Sequence, residues 1–447
     1  MSHSKSYLFK FNSWEGDMRN FLHRLFAASA ACLFVVASAQ ASGFQIGEMA
    51  ARATGMGSAF TAVADDPSAA WYNPAGVGFT DGKQIMGGSA IVIVPGTDFT
   101  TNTFNPLHPK AVSAGSNTFF VPHVYFTYMD DDTRLGASIS INAPFGLETD
   151  WPDTAANPFA SKSTFSRLQM ALLQPNVIFK VSDHLSIAGG FSYALLNKVD
   201  LNNSLQDLNG DGDGWGGNAS ILYKTDTFSI GVTYRSRIKI DVSGTASAKG
   251  NLALVGGTSS AATTSVTLPD QINSGIAWSP SEAWTLSFDA DWINWKTFDS
   301  IDIRYASAAY RGAIDTLRFL AGGAPNGGQT NLPQNWKSTV QLRAGLEWRY
   351  ASNMRTQLGF VYDPTPVPDV DFTPAIPDTD RYLFSVGYGY DFTPATTIDL
   401  AYAYVYFKDR NQTASPVGDL PLAPDTVKNG TYQANAHVVT VSLSHKF

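Results

Sequence analysis

Apolar and polar residues alternate one by one along much of this chain, in runs of about ten, the period of extended strands with two unlike faces. Over 340–350, Val340, Leu342, Ala344, Leu346, Trp348 and Tyr350 share one face, and Gln341, Arg343, Gly345, Glu347 and Arg349 share the other. The same split separates Phe228, Ile230, Val232 and Tyr234 from Ser229, Gly231, Thr233 and Arg235. It also separates Trp284, Leu286, Phe288, Ala290 and Trp292 from Thr285, Ser287, Asp289 and Asp291. Near the end, Tyr382, Phe384, Val386, Tyr388 and Tyr390 form one such face, and Ile398, Leu400, Tyr402, Tyr404 and Tyr406 another.

A soluble β-sandwich also alternates, so the connections decide. Short ones, such as Asp130 to Thr133, Ser182 to His184, Lys224 to Thr227 and Ala351 to Asn353, take turns with long polar ones near 95–118, 146–164, 200–214, 244–265, 297–337, 363–380 and 409–431. Tight turns on one side and long loops on the other are the asymmetry of an outer-membrane barrel. Counting strands between connections predicts an all-β fold, a 14-stranded antiparallel transmembrane β-barrel over 83–447. An even count returns both ends of the wall to the periplasmic side. The last strand sets Val439, Val441, Leu443, His445 and Phe447 against Thr440, Ser442, Ser444 and Lys446 and closes on an aromatic residue.

The remaining chain divides in two. Met18, Arg19 and Arg24 lead into an apolar run, Leu25 to Ala39, that ends Ala39-Gln40-Ala41, so residues 1–41 read as a signal peptide, with translation starting at Met18 as an option. Residues 42–82 lack two-residue alternation. Asp65-Asp66-Pro67-Ser68 is a helix start, Gly76 and Gly78 are stops, and Phe44, Met49, Met56, Phe60, Trp71 and Phe79 need burial. This segment is expected to be a small helical hatch that plugs the barrel.

Composition agrees with lipid contact: 15% of the residues are charged and 13% aromatic in a chain of 447. The single cysteine, Cys32, lies in the signal segment, so no disulfide framework is expected. The signal holds four of the 30 Lys/Arg and two of the 38 Asp/Glu, so the rest carries a net charge of 10 negative, and nucleic acid is excluded as a partner. No run is long and apolar enough for a membrane helix.

Candidate chemistry is sparse. Asp207 to Gly214 has the alternating oxygen ligands of a calcium loop, but the twelfth position is Asn218 rather than Glu, and no metal or cofactor is expected. The histidines after the signal, His108, His123, His184, His437 and His445, stand in no catalytic or metal spacing, so an enzyme is not expected. Arg235, Arg237 and Arg343 on inward faces could line an aqueous pore, pair with Asp289, Asp291 and Glu347, or hold a carboxylate.

A resemblance narrows these options. Gly43-Phe44-Gln45, Ala64-Asp65-Asp66-Pro67 and Trp71-Tyr72-Asn73-Pro74-Ala75 resemble the start of the FadL family of outer-membrane transporters for long-chain fatty acids and other hydrophobic compounds. Asn142-Ala143-Pro144-Phe145-Gly146-Leu147, Gly214-Trp215-Gly216-Gly217-Asn218, Thr233 to Asp241, Pro366-Val367-Pro368 and Ile376 to Arg381 continue the likeness in order. The resemblance implies a hatch containing Asn73, Pro74 and Ala75, a tip that sets Phe44 in the binding pocket, and a third strand kinked at Pro144 and Gly146 to open the wall sideways. On residue chemistry alone, Pro144 and Gly146 equally describe an ordinary strand exit. The resemblance further implies a monomeric channel in the outer membrane, among its lipid and lipopolysaccharide. It would take up long-chain fatty acids passively or, alternatively, aromatic or aliphatic hydrocarbons. Asn202 stands where a pocket cation is expected, which weakens the carboxylate assignment.

Overall fold

The computed structural model describes residues 43–101, 110–154, 157–413 and 429–447. The signal segment and the centres of the first and last long loops lie outside the described residues.

Fourteen wall strands follow one another round a closed antiparallel sheet. They are β1 (Gly82–Val94), β2 (Asn117–Asp130), β3 (Leu135–Asn142, resuming at Gly146–Asp150), β4 (Phe165–Ser182), β5 (Leu185–Asn202), β6 (Gln206–Lys224) and β7 (Phe228–Arg235, resuming at Ile238–Ala248). Then come β8 (Ser259–Leu268, resuming at Gln271–Ser281), β9 (Trp284–Ile293), β10 (Thr339–Ala351), β11 (Met354–Asp363), β12 (Arg381–Thr393), β13 (Thr396–Phe407) and β14 (Gly430–Lys446). Pairing of β1 with β14, Gln84 opposite Lys446 through Ile93 opposite His437, closes the ring. Closure leaves no sheet edge to face lipid, the condition for crossing a bilayer with strands. No helix among the described residues is long and apolar enough to cross.

The alternation is realised with the sense of a membrane wall. On β10, Val340, Leu342, Ala344 and Trp348 are exposed, whereas Gln341, Arg343, Gly345 and Glu347 are buried. Cross-strand aromatic pairs reinforce the outer surface: Trp284 and Trp348 stack at 5.3 Å, and Phe360 and Phe384 lie 5.3 Å apart.

Inside sits the hatch, with the short helices α1 (Ala51–Gly55) and α2 (Ala69–Tyr72) and a 3-10 turn from Pro74 to Phe79. Met49, Met56, Phe60 and Ala70 are fully buried. Close approach to the wall requires glycine. A Cβ on Gly359 would sit 2.0 Å from the Gly57 nitrogen, and one on Gly231 would sit 2.4 Å from the Thr61 oxygen.

Two expectations need correction. The stretch 200–214 is not a long loop: β5 runs to Asn202, β6 starts at Gln206, and Asp207, Asn209, Asp211 and Asp213 alternate along an extended strand. An extended strand throws successive side chains to opposite faces, so the sharp turn that a calcium loop needs at its sixth residue is missing. Secondly, β7 is interrupted between Arg235 and Ile238, and the parity of its side chains changes there. Beyond the break Ile238, Ile240 and Val242 face the core, while Arg237, Lys239 and Asp241 are exposed. Arg237 therefore lies outside the lumen, 3.3 Å from Asp270.

Candidate functional site: the side window and the hatch tip

Pro144 lacks an amide hydrogen, and here β3 leaves its neighbour. Pairing between β2 and β3 ends at Val124 opposite Ile141. Beyond the break, Gly146–Asp150 pairs with β4 alone, and residues Asn117 to His123 of β2 pair with β1 alone. The strands rejoin where the Gly115 amide donates to the Asp150 carbonyl at 2.7 Å. The result is a window in the wall, up to about 30 Å along the strand direction at ~3.3 Å per residue. Phe119, Val121, Ala143, Phe145 and Leu147 lie along it, all buried.

Backbone groups that β3 does not share with β2 must be satisfied elsewhere. The hatch tip satisfies them. Ile46 N–H donates to the Pro144 carbonyl and Gly146 N–H to the Phe44 carbonyl, both at 2.8 Å, in an antiparallel bridge centred on Gln45 and Phe145. The tip therefore occupies the broken edge of the wall strand.

Phe44, 1% exposed, fills a cage of four aromatic rings. Its ring lies 5.9 Å from Phe145, 5.0 Å from Trp295, 5.3 Å from Phe298 and 5.8 Å from Trp336, in tilted or edge-on geometry. Gly43 precedes it at φ +60 and presses against the two indoles, where a Cβ would meet Trp336 at 2.5 Å. The Gly43 amide donates to Asp378 in the loop between β11 and β12. Burial pushes the Asp378 carboxyl up to about 6, against the pull of Arg381 and a hydrogen bond from Thr365. Behind the tip is a cavity of about 30 Å³, bordered by Gln45 to Glu48, Val92, Leu383 and Val438, with the Arg381–Asp363 ion pair in its wall. Two waters would fit there, but an acyl chain would not.

Asn73, Pro74 and Ala75 lie together deeper in the hatch. The Asn73 amide donates to the carbonyls of Thr61 at 2.8 Å and Ile221 at 3.2 Å, its oxygen accepts from Ala75 N, and Ala75 N also donates to Ser220 Oγ at 3.0 Å. These contacts join hatch to wall. The two inward arginines do the same. Arg235 donates to Asn273 at 2.7 Å and to the Trp71 carbonyl, with its guanidinium 4.1 Å over the Trp71 ring. Arg343 pairs with Asp291 at 2.9 Å and donates to Gln341 and the Gly57 carbonyl.

Sequence reading missed the strongest hatch anchor, because it joins residues nearly 300 positions apart. Arg52 meets Glu347 at 2.7 Å and Asp65 at 2.6 Å, with Asp66 at 3.6 Å, and Arg355 continues the chain from Glu347 to Asp399 at 2.8 Å. Burial acts to raise Asp65, but Arg52 and Lys224 outweigh it and hold the carboxyl at about 2. His123 and Ser442, 2.8 Å apart, are the nearest approach to a catalytic pair. Ser442 Oγ also accepts the Ala51 amide, and His123 Nδ1 has no partner among the described residues. Trp295, Phe298 and Trp336 were also overlooked, as aromatic residues in polar connections. Among the described residues there is no cluster of three metal-ligating side chains.

A closed fourteen-stranded wall with lipid-facing aromatics, an internal hatch and a side window defines a plugged outer-membrane transport barrel. The family described as outer membrane protein transport protein (OMPP1/FadL/TodX) matches residues 32–447, and the chain belongs to it. It is 24% identical over 432 residues to the long-chain fatty acid transport protein of Escherichia coli (strain K12), covering 85% of this chain and 91% of that protein. Outer membrane protein P1 of Haemophilus influenzae is 25% identical, over 96% of this chain and 100% of its own. The solved fold of a Pseudomonas aeruginosa FadL homologue superposes with a TM-score of 0.74 at 17% identity, covering 91% and 100% of the two chains. The Ralstonia pickettii toluene transporter gives 0.63 at 17% identity, covering 89% and 98%. The protein is therefore an outer-membrane β-barrel of a family of passive transporters of hydrophobic small molecules.

Proposed function

We propose that the substrate is caught among the outer loops, enters the cage now filled by Phe44, and leaves sideways into the membrane through the β2–β3 window when the tip withdraws. The observation that carries this reading is the pair of hydrogen bonds between the tip and the broken strand. Withdrawal of residues 44–46 would empty the cage and free the window edge in one movement, with no energy source required. An apolar solute on this route avoids water altogether. The protein works as a monomer, among outer-leaflet lipid and lipopolysaccharide.

Long-chain fatty acids are the proposed substrate, in line with the similarity to the long-chain fatty acid transport proteins of Escherichia coli and Salmonella typhi. The aromatic lining of the cage favours a second reading, in which hydrocarbons are taken up. Displacement of a fluorescent long-chain fatty acid by oleate but not by toluene supports the first reading, and the reverse supports the second.

The route has its own test. Gln45 and Phe145 face each other across an antiparallel bridge, where Cα atoms stand ~4.5–5.5 Å apart, within disulfide range. A Gln45→Cys/Phe145→Cys chain should take up oleate when reduced and lose most of that uptake when oxidised. Full uptake by the cross-linked protein would rule out tip withdrawal.

A further inference from the structure

Trp295 and Trp336, which are 0% and 2% exposed, both bury an indole Nε1–H that has no hydrogen-bond partner among the described residues. Buried donors are rarely left unmade, and an indole nitrogen can only donate. The contrast within the molecule is sharp, since the equally buried Trp151 gives its Nε1–H to the Pro374 carbonyl at 2.9 Å. The two indoles that carry these donors are neighbours, with ring centroids 5.2 Å apart, and both rings touch Phe44.

Charge is arranged differently. Among the described residues the cation–π contacts fall on Phe60, Phe165, Trp71, Phe407 and Phe372, and none on the cage. The lumen arginines nearest in function are already committed, Arg343 to Asp291 and Arg381 to Asp363. Lys296 and Lys337, next in sequence to the two indoles, are exposed. Of the ionisable groups at the tip, Asp378 accepts the Gly43 amide, and Arg381, in the wall of the cavity behind it, is held by Asp363. A carboxylate brought into the cage would lose its hydration without meeting a free cation, which is the costly way to bury a charge.

We propose that the cage binds its ligand by a neutral hydrogen-bond acceptor, such as an ester, a ketone or a protonated acid. The Nε1–H groups of Trp295 and Trp336 hold that acceptor, while the apolar body takes the place of the Phe44 ring. This rests on the uptake reading above and deepens it. A fatty acid enters this site uncharged, and an alkane of equal length binds less well because it leaves both donors unmade.

The test compares one body with three heads. Radiolabelled hexadecane, methyl palmitate and palmitate, the last at pH 8, are titrated separately into the detergent-purified full chain. Methyl palmitate should bind about tenfold more tightly than hexadecane, one bond's difference of ~1.4 kcal/mol, and more tightly than palmitate. Trp295→Phe and Trp336→Phe should each shrink the ester's advantage over hexadecane to less than about threefold, whatever they do to binding of the alkane itself. Equal binding of ester and alkane by the native chain would overturn the inference, because water would then serve the donors. Tightest binding of palmitate would overturn it too, as would tryptophan variants that lose all three ligands alike, the mark of a packing role. The native-chain arm requires no variant to fold. Binding without an ester advantage would leave the uptake reading standing, whereas no binding of any probe would remove both.

Discussion

The Phe44 side chain is held by rings, and the wall hydrogen bond at this residue goes to its backbone carbonyl, so loss of the ring should be local. Truncating a fully buried phenylalanine costs about 3–5 kcal/mol. Phe44→Ala should therefore release the tip, seen as faster proteolysis near the N-terminus, with little change in the temperature at which the barrel unfolds in SDS. Asp378 adds a pH dependence whose sign can be worked out. Burial raises its pKa to about 6 from an ordinary value of 3.8, so the folded loop favours the protonated carboxyl, even though the Gly43 amide taken alone favours the charged form. The associated stability is fully present below about pH 4 and is lost as the pH rises through about 6. Protection of the 363–380 loop against protease should accordingly fall between pH 4 and pH 6.5, and Asp378→Asn should flatten the curve. An equally steep curve in the variant would assign the effect to another group.

At the scale of elements, what could be read from the sequence depended on parity. Strands with lipid on one side declare themselves by alternation, as β10 does, because each slip by one residue would turn Arg343 and Glu347 into lipid. Two features break that rule. The interruption of β7 after Arg235 reverses the faces, which is why Arg237 was assigned inward from a pattern that holds only up to Arg235. The outer end of β6 hid behind turn-like composition, although its glycines have another reason: a Cβ on Gly212 would stand 2.3 Å from the Asp241 carbonyl of β7. The window was visible in outline as Pro144 and Gly146, but its upper limit, the Gly115 to Asp150 hydrogen bond, joins strand ends that no local pattern connects. The aromatic cage was not legible, since Trp295 and Trp336 meet just beyond the Ile293–Thr339 end of the β9–β10 pairing, at opposite ends of a long connection whose composition reads as polar loop. Restoring strand character at the break should narrow the window. A Pro144→Ala/Gly146→Val chain should show higher resistance to heat in SDS and slower uptake of oleate. Unchanged uptake would mean that the solute leaves by another path.

At the scale of the whole molecule, the body of the hatch is fastened to the wall by ionic and hydrogen-bonded contacts on several sides, whereas its tip is held by one antiparallel bridge and by aromatic packing. Arg52 is central to that fastening. Arg52→Met removes the nearest cation from both Glu347 and Asp65 and leaves Glu347 with Arg355 at 3.7 Å, at a cost of up to about 3–5 kcal/mol. The variant should unfold earlier in SDS and show larger conductance in planar bilayers. Adding Glu347→Gln should recover much of the loss, because the stranded charge is then gone. A double variant no better than the single one would show that Arg52 acts through packing instead.

A closed cylinder of hydrogen-bonded strands resists any change in circumference, because widening it anywhere means breaking bonds along a whole seam. Between Val124 and Gly115 that seam is already open, and the groups along β3 are lent to a detachable peptide. The break therefore works like an expansion joint in a pipe. Strain from a bulky solute in the lumen can be taken up at one known place, while the bonded remainder of the ring keeps its diameter.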